Sequence, residues 1–166
     1  MPEYRGMNLI LSPTDTEFRP YLEEVSRRRR LVLRRCAACG LVRYPPGAAC
    51  PWCTSLEWQW QEVSGQGTIY SYEMVTQAVQ PGFRDWVPYP VVLVELDEQR
   101  GVPTPDEAIR MVANLVDANF NPEREEKVAI GLRVEAAFQE IGEGLLLPQF
   151  HLSSEPPLGR VWRLPD

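Results

Sequence analysis

The cysteines are the strongest constraint on the fold of this chain. All four lie in the stretch CAACGLVRYPPGAACPWC, as two Cys-x-x-Cys pairs separated by ten residues. A Cys-x-x-Cys turn places two sulfurs on one side of a metal ion, so two such turns complete a tetrahedral thiolate site. A ribbon of about thirty residues buries too little apolar surface to fold alone, and a bound metal compensates for this. The pattern therefore predicts a small metal-stabilised ribbon.

The number of thiols also predicts the role of the metal. Four cysteines fill four coordination positions and leave none open for water or substrate, which is typical of structural rather than catalytic zinc. Tetrahedral thiolates also bind iron. Four unliganded thiols and a redox Cys-x-x-Cys pair are the remaining interpretations. We predict structural Zn²⁺ with iron as the alternative, held by Cys36, Cys39, Cys50 and Cys53.

The chain is predicted to be cytoplasmic and to have no membrane span. Its amino terminus is polar, and its longest aliphatic run, Val91–Val94, is far shorter than the ~20 residues that a spanning helix needs. In a reducing compartment, paired cysteines favour metal binding over disulfides. This expectation agrees with the metal site predicted from the spacing.

The segment before the cysteines predicts one amphipathic helix. Residues 1–15 are expected to form a loose lead-in that ends in Ser12-Pro13-Thr14-Asp15, whose side-chain oxygens can cap a helix. Apolar residues then recur at helical spacing: Phe18, Tyr21, Leu22 and Val25. A single helix of this length is marginal in water, so its apolar face is expected to pack on the rest of the chain or on a partner.

The remainder of the chain predicts a mainly β fold. Alternation of Leu56, Trp58 and Trp60 with polar residues continues the ribbon as a strand, and five further strands are predicted to begin at Gly67, Pro90, Ile109, Arg133 and Leu145. A turn and a short helix are expected at 121–131, between the third and fourth of these strands. This is the layout of an OB-fold, a small five-stranded barrel. A five-stranded sheet of another topology fits the pattern nearly as well.

The charge distribution bears on possible ligands. Residues 1–62 hold nine arginines against seven acidic residues, whereas residues 63–166 hold eight basic and sixteen acidic residues. An OB-fold that binds single-stranded nucleic acid needs a basic groove, so the acidic barrel half argues against that function, which stays as the alternative. The basic excess is concentrated in a run at the end of the predicted helix and in a following pair: Arg27, Arg28, Arg29 and Arg30, then Arg34 and Arg35.

Two regions have two interpretations each. The arginine run either is a solvated helix end, where cations are favoured, or contacts phosphates of nucleic acid or of a cofactor such as coenzyme A. The loop at 80–90 carries Phe83, Trp86 and Tyr89, which either fold under the barrel or anchor a partner. His151 is predicted to be a packing or surface residue, and the pairs Asp97-Glu98 and Asp106-Glu107 to lie in solvated loops.

Several segments together resemble a known family. They are LRRCAACG at 33–40, YPPGAACPWC at 44–53, GQGTIYSY at 65–72, PVVLVELDE at 90–98, IGLRVEAAF at 130–138 and LPQF at 147–150. Over about residues 15–152 the chain resembles the zinc-ribbon and OB-fold proteins known as domain of unknown function thirty-five. It departs from them in having Thr54 where a glycine usually follows the second knuckle, and in an insertion of about ten residues after Glu98.

The resemblance implies four regions and a fold. These are a lead-in with an amphipathic helix at 1–30, a rubredoxin-like zinc ribbon at 31–63, an OB-fold at 64–152 and a tail at 153–166. The fold class is therefore expected to be mainly β, with an amino-terminal helix, a zinc ribbon and a five-stranded OB-fold barrel.

The resemblance also implies a function. Members of this family are non-catalytic companions of thiolases, lipid-transfer-protein-like aldolases and hydroxymethylglutaryl-CoA synthases. They help to form the acyl-CoA-binding region, and some act in retro-aldol shortening of steroid side chains. The chain is thus expected to lack activity alone and to be a required subunit of a hetero-oligomer that binds a coenzyme A thioester jointly with its partner. The contact residues predicted for partner or coenzyme A are Phe18, Tyr21, Arg27, Arg28, Arg29, Arg30, Phe83, Trp86 and Tyr89.

Overall fold

The computed structural model describes residues 1–9, 12 and 14–163. One helix, α1, spans Phe18–Arg28. The strands are β1 (Glu3–Tyr4), β2 (Met7–Asn8), β3 (Val32–Cys36), β4 (Val42–Arg43), β5 (Trp58–Glu62), β6 (Gln66–Val75), β7 (Tyr89–Leu96), β8 (Arg110–Asn114), β9 (Arg133–Glu140) and β10 (Leu146–Leu152). Short 3-10 helices lie at Pro81–Phe83 and Glu125–Lys127. No helix in this part of the chain is long and apolar enough to cross a membrane.

The five long strands form a nearly closed barrel. They are ordered β10-β9-β6-β7-β8, all antiparallel. Strand β6 pairs with β9 through Gln66–Thr68 and with β7 along most of its length, with a register shift between Ile69 and Ser71. The two end strands meet in parallel at the bridge between Leu115 and Phe150. The 3-10 turn at Glu125–Lys127 falls between the third and fourth barrel strands, which confirms the predicted OB-fold class.

The ribbon is a separate three-stranded sheet in the order β4-β3-β5. Its central strand β3 runs from the end of α1 into the first cysteine knuckle, and β5 returns antiparallel to it with Cys36 opposite Trp58. The strand predicted from Leu56 begins only at Trp58, and Leu56 is exposed in the segment before β5.

Helix α1 packs on its own chain, between the barrel and the ribbon. Its stripe of Tyr21, Leu22 and Val25 is buried against β10 and β3, whereas Phe18 is 41% exposed. The Asp15 carboxylate accepts the backbone N–H groups of Glu17 and Phe18, at 2.7 and 3.0 Å, and so satisfies donors of the first turn. The predicted capping role therefore falls to Asp15, while Pro13 lies outside the described residues.

The prediction of a loose lead-in is wrong for residues 1–9, which contain a β-hairpin formed by β1 and β2. Tyr4 is 6% exposed and packs edge-to-face on Phe83 and Trp86. The Arg5 guanidinium stacks 3.9 Å from the centre of the Trp86 ring and donates to the Gly82 carbonyl at 2.7 Å. Strands of two residues have no readable periodicity, so these tertiary contacts define the hairpin.

Gly67 is expected to tolerate no side chain. It lies in the buried part of β6, and a Cβ there would be 2.6 Å from Val94 Cγ1 and 2.7 Å from the Glu95 carbonyl. Gly67→Ala should lower the free energy of unfolding by about 1–3 kcal/mol through overpacking, measured by urea denaturation. Gly159→Ala is the control because that position has open space. Equal midpoints for the two variants would contradict this close packing.

Candidate metal centre

The two cysteine knuckles bring four sulfurs into one cluster. Cys36 Sγ lies 3.6 Å from Cys53 Sγ and Cys39 Sγ lies 3.6 Å from Cys50 Sγ, and all four sulfurs lie within 4.8 Å of one another. A tetrahedral zinc with bonds of about 2.3 Å requires sulfurs about 3.8 Å apart, whereas a disulfide requires about 2.05 Å. The arrangement fits a four-thiolate metal site and not a pair of disulfides.

Both knuckles are built by the same backbone turn. In the first, Gly40 N–H donates to the Cys36 carbonyl at 3.0 Å, and in the second, Thr54 N–H donates to the Cys50 carbonyl at 2.9 Å. Gly40 and Thr54 both adopt positive φ, 77° and 62°. Glycine adopts this region freely and a β-branched residue does so at a cost. Thr54 therefore keeps the turn that the family usually forms with glycine.

The electrostatics of the cluster favour a bound cation. The backbone N–H of Cys39 is the main cause that lowers the pKa of Cys36 to about 6. At Cys39 the Leu41 N–H acts in the same direction, but burial and the neighbouring thiols outweigh it and raise the pKa to about 12. Four adjacent sulfurs cannot all become thiolates unless a positive ion offsets their charge. A divalent metal supplies that charge.

Two arginines of the ribbon are internal, which the sequence pattern did not reveal. Arg34 is 2% exposed, stacks 4.0 Å from the Trp58 ring centre and donates to the Gly47 and Thr16 carbonyls. Arg43 is also buried and donates to the same Gly47 carbonyl. Burial is the main cause that lowers the pKa of Arg34, and the neighbouring Arg43 adds to it. Part of the positive charge predicted at the Arg34–Arg35 pair is therefore buried inside the ribbon, on Arg34.

The insertion after Glu98 joins the ribbon to the barrel. The Gln99 side-chain amide donates to the Val42 carbonyl at 2.8 Å and accepts the Val42 N–H at 2.6 Å. It therefore completes the edge of β4 as a neighbouring strand would. Nearby, the indole N–H of Trp52, inside the second knuckle, donates to Glu107 at 3.0 Å. These contacts hold the zinc ribbon against the connection between barrel strands β7 and β8.

Gln99→Ala is expected to loosen this contact. It removes two hydrogen bonds to a residue that is 5% exposed, each worth about 0.5–1.5 kcal/mol. Hydrogen exchange of the Val42 amide should accelerate about tenfold. Gln59→Ala is the control, since Gln59 lies exposed on β5. Unchanged protection of Val42 in Gln99→Ala would contradict the joining role.

The four arginines at the end of α1 divide into two pairs, Arg27 and Arg28 in its last turn and Arg29 and Arg30 just after it. Arg27 and Arg28 form ion pairs with Glu24 at 2.6 and 2.5 Å, and Arg28 also reaches Glu62. The hydrogen bond from Arg27 is the main cause that lowers the pKa of Glu24 to about 2. Arg29 and Arg30 are exposed, and within residues 1–9, 12 and 14–163 they form no ion pair. They border a cavity of about 170 Å³ that Phe138 also lines.

The aromatic loop is folded inward. Trp86 is 5% exposed, and Phe83 and Tyr89 are half-buried and stack with ring centres 5.3 Å apart. For Trp86 the structure supports the inward-folded interpretation, because its ring packs against the β1–β2 hairpin. Phe83 and Tyr89 keep partial exposure.

Two expectations about polar residues agree with the structure. His151 packs against the Phe120 ring, with ring centres 5.5 Å apart, as expected for a packing histidine. Asp97 is exposed, as predicted, but its carboxylate also forms a two-oxygen ion pair with Arg133, a residue that is 4% exposed. Arg133 also reaches Glu155 of the tail. Arg133 therefore links the end of β7 to the tail through these two carboxylates.

The comparisons with known proteins agree with this architecture. Residues 26–59 match the family described as ChsH2, rubredoxin-like zinc ribbon domain, and residues 60–139 match ChsH2, C-terminal OB-fold domain. A solved structure described as Ltp2-ChsH2(DUF35) aldolase is 34% identical and aligns with a TM-score of 0.66, covering 86% of this chain and 98% of that chain.

Curated relatives carry related descriptions. A "Probable enoyl-CoA hydratase alpha subunit" from Thermomonospora curvata is 39% identical over 76% of this chain, which covers only 35% of that longer protein. A "DUF35 domain-containing scaffold protein" from Methanocaldococcus jannaschii is 32% identical over 72% of this chain and 74% of the relative. With this identity and coverage, and with both domains matched in order, the chain belongs to the DUF35 family of zinc-ribbon and OB-fold proteins.

Proposed function

We propose that this chain is a non-catalytic accessory subunit that binds and stabilises a thiolase-fold enzyme acting on acyl-CoA. The observation that carries the proposal is the match to the Ltp2-ChsH2(DUF35) aldolase, which covers 98% of that chain at 34% identity. The scaffold description of the archaeal relatives and the acyl-CoA chemistry in the name of the Thermomonospora relative support it. By this analogy, the partner reaction is a thiolase or retro-aldolase step, including cleavage of steroid side chains.

The metal centre has a structural role in this proposal. The four cysteines supply the complete set of thiolates that a tetrahedral zinc uses. When bound, the ion fixes the two knuckles. The ribbon then presents Trp52 and Val42 to the insertion that joins it to the barrel.

The surface next to α1 is the proposed contact for coenzyme A. Arg29 and Arg30 are exposed and unpaired in the described part of the chain, in contrast to Arg27 and Arg28. A guanidinium without a carboxylate partner is suited to bind phosphate in two-point hydrogen bonds. The proposed phosphate contact is therefore limited to Arg29 and Arg30, and the proposed aromatic partner contact to Phe18, Phe83 and Tyr89.

Co-expression tests the proposal directly. The tagged chain is expressed with a thiolase-like protein encoded beside it, and the purified sample is analysed by light scattering at 0.5 M salt. A complex of fixed stoichiometry that survives this salt is expected, since apolar interfaces resist screening. A chain that elutes alone, or that binds single-stranded nucleic acid in a salt-sensitive manner, would overturn the proposal.

A further inference from the structure

The barrel has a seam that α1 covers. The end strands β8 and β10 meet at the bridge between Leu115 and Phe150. Elsewhere along the seam, α1 lies across β10, and Ser26 Oγ of the helix accepts the Leu146 N–H at 2.7 Å. The helix therefore lies along the open side of the barrel, near the place where strands β8 and β10 face each other.

A cavity of about 400 Å³ lies between the helix and this seam. It is lined by the first turns of α1, by Tyr44 of the ribbon, by Val91 of β7, by residues 111–114 of β8 and by residues 147–149 of β10. Its volume falls in the range of about 300–1,000 Å³ that is usual for small-molecule sites. Elements from the helix, the ribbon and the barrel thus converge on one space.

The lining of this seam cavity is apolar and uncharged. Among the described residues that line it there is no Asp, Glu, Lys, Arg or His. Two of its polar side chains already have partners, because Asn114 donates to the Tyr4 hydroxyl and Gln149 donates to Gln139. A charged ligand group would lose its hydration here without gaining a counter-ion.

One fully buried polar group on the wall of the seam cavity has no partner. Tyr21 is 3% exposed, and its hydroxyl makes no hydrogen bond within the described part of the chain. Burial raises the pKa of Tyr21 well above its usual value, so the hydroxyl stays protonated and able to donate. A buried hydroxyl without a partner is destabilising, and a ligand oxygen that reaches it would remove that cost.

The mouth of the seam cavity is also apolar. Val112 is 63% exposed and Phe18 is 41% exposed, so a hydrocarbon group entering there would cover two exposed apolar side chains. Val91 and Val112 also line a second cavity of about 320 Å³ on the outer face of the barrel. Beyond the mouth the surface is mixed, since Ser71 and Glu73 line the second cavity beside Val91, Leu93 and Val112.

We propose that the seam cavity binds a neutral, mainly hydrocarbon ligand that carries one hydroxyl or carbonyl oxygen, with Tyr21 as its hydrogen-bond partner. The apolar walls select the hydrocarbon body, the missing counter-ions exclude charged ends, and the Tyr21 hydroxyl selects the oxygen. The cavity lies within the chain itself, and because Phe18 at its mouth also belongs to the proposed partner contact, the test uses the free chain.

The test uses methionine methyl groups as reporters. The chain has four methionines, and Met111 lines the seam cavity whereas Met1, Met7 and Met74 do not. The full chain with ¹³C-methyl methionine is titrated with 1-octanol, octanoate and octylammonium, which share a hydrocarbon body. We expect 1-octanol to shift the Met111 signal saturably, and the two ions to bind at least tenfold more weakly. A Met111 signal that does not shift, or equal affinity for all three probes, would overturn the proposal and leave a water-filled cavity.

Two variants locate the binding site. Tyr21→Phe should weaken 1-octanol binding about 2- to 10-fold without lowering the melting temperature, because it removes a hydroxyl that has no partner in the free protein. Leu147→Trp fills the seam cavity and should abolish the Met111 shift, while Val79→Trp adds the same side chain at a position that is 90% exposed and should not. Binding that is unchanged in both Tyr21→Phe and Leu147→Trp would contradict the site.

Discussion

Cys36→Ser is expected to abolish stoichiometric metal binding and to unfold the ribbon. Cys36 is 1% exposed, and its sulfur lies 3.6 Å from that of Cys53. A hydroxyl is a much poorer zinc ligand than a thiolate, so three sulfurs and one hydroxyl cannot hold the ion as four sulfurs do. In isolated finger peptides the bound zinc contributes on the order of 10–16 kcal/mol. The loss of even part of this exceeds what a sheet with strands of five, two and five residues can replace.

Metal analysis and amide spectra of the ribbon measure this result. The expected wild-type metal is zinc, and Cys36→Ser should lose it together with the dispersed amide signals of β3–β5. Ala38→Ser is the matched control, since it places a hydroxyl in the same knuckle without removing a sulfur. A folded ribbon in metal-free Cys36→Ser would show that the thiols are ordinary buried side chains. Iron in the purified wild-type protein would show that the site holds the alternative metal.

Val25→Asp is expected to have the second large effect. Val25 is fully buried on the face of α1 that packs against β10 and β3, so the substitution places a carboxylate in an apolar contact. The expected loss is several kcal/mol, against a total stability of about 5–15 kcal/mol for a domain of ordinary size. We expect the helix to detach from the seam, or the whole chain to unfold, at room temperature.

The pH dependence distinguishes this mechanism from simple loss of packing. Burial raises the pKa of a carboxyl group above its unfolded value, because the charged form is disfavoured. The destabilisation by Val25→Asp is therefore fully present well above that raised pKa, and it decreases as the pH falls and the group is protonated. Thermal melting at pH 8 and pH 5 should show a smaller deficit at pH 5. Glu23→Asp on the exposed side of α1 is the control, and an equal deficit at both pH values would contradict this explanation.

The parts of the fold that leave a regular spacing of residues in the sequence were predictable. The spacing of the cysteines located the ribbon because knuckle geometry depends on local turns, such as those ended by Gly40 and Thr54. The period-two pattern located the barrel strands because alternate residues of β7 face the core, with Val92, Val94 and Leu96 fully buried. The apolar stripe of α1 predicted its buried face because residues three and four positions apart lie on the same side of a helix.

Other features depend on contacts between distant residues, which leave no periodic signal. Gln99 and Val42 are 57 positions apart, and a single amide side chain joins them. The burial of Arg34 depends on Trp58 and on carbonyls of two loops. The N-terminal hairpin is defined by where Tyr4 packs. The seam cavity likewise needs the barrel to be closed before its walls exist.

The proposed role as a required subunit of an enzyme that acts on acyl-CoA is tested by enzyme kinetics. The turnover of a coenzyme A thioester by the purified thiolase-like partner is measured alone and with an equimolar amount of this chain. We expect the chain alone to show no turnover and its addition to raise the turnover of the partner at least tenfold. We also expect metal-free Cys36→Ser to fail to do so. Full activity of the partner alone, unchanged when the chain is added, would contradict the claim.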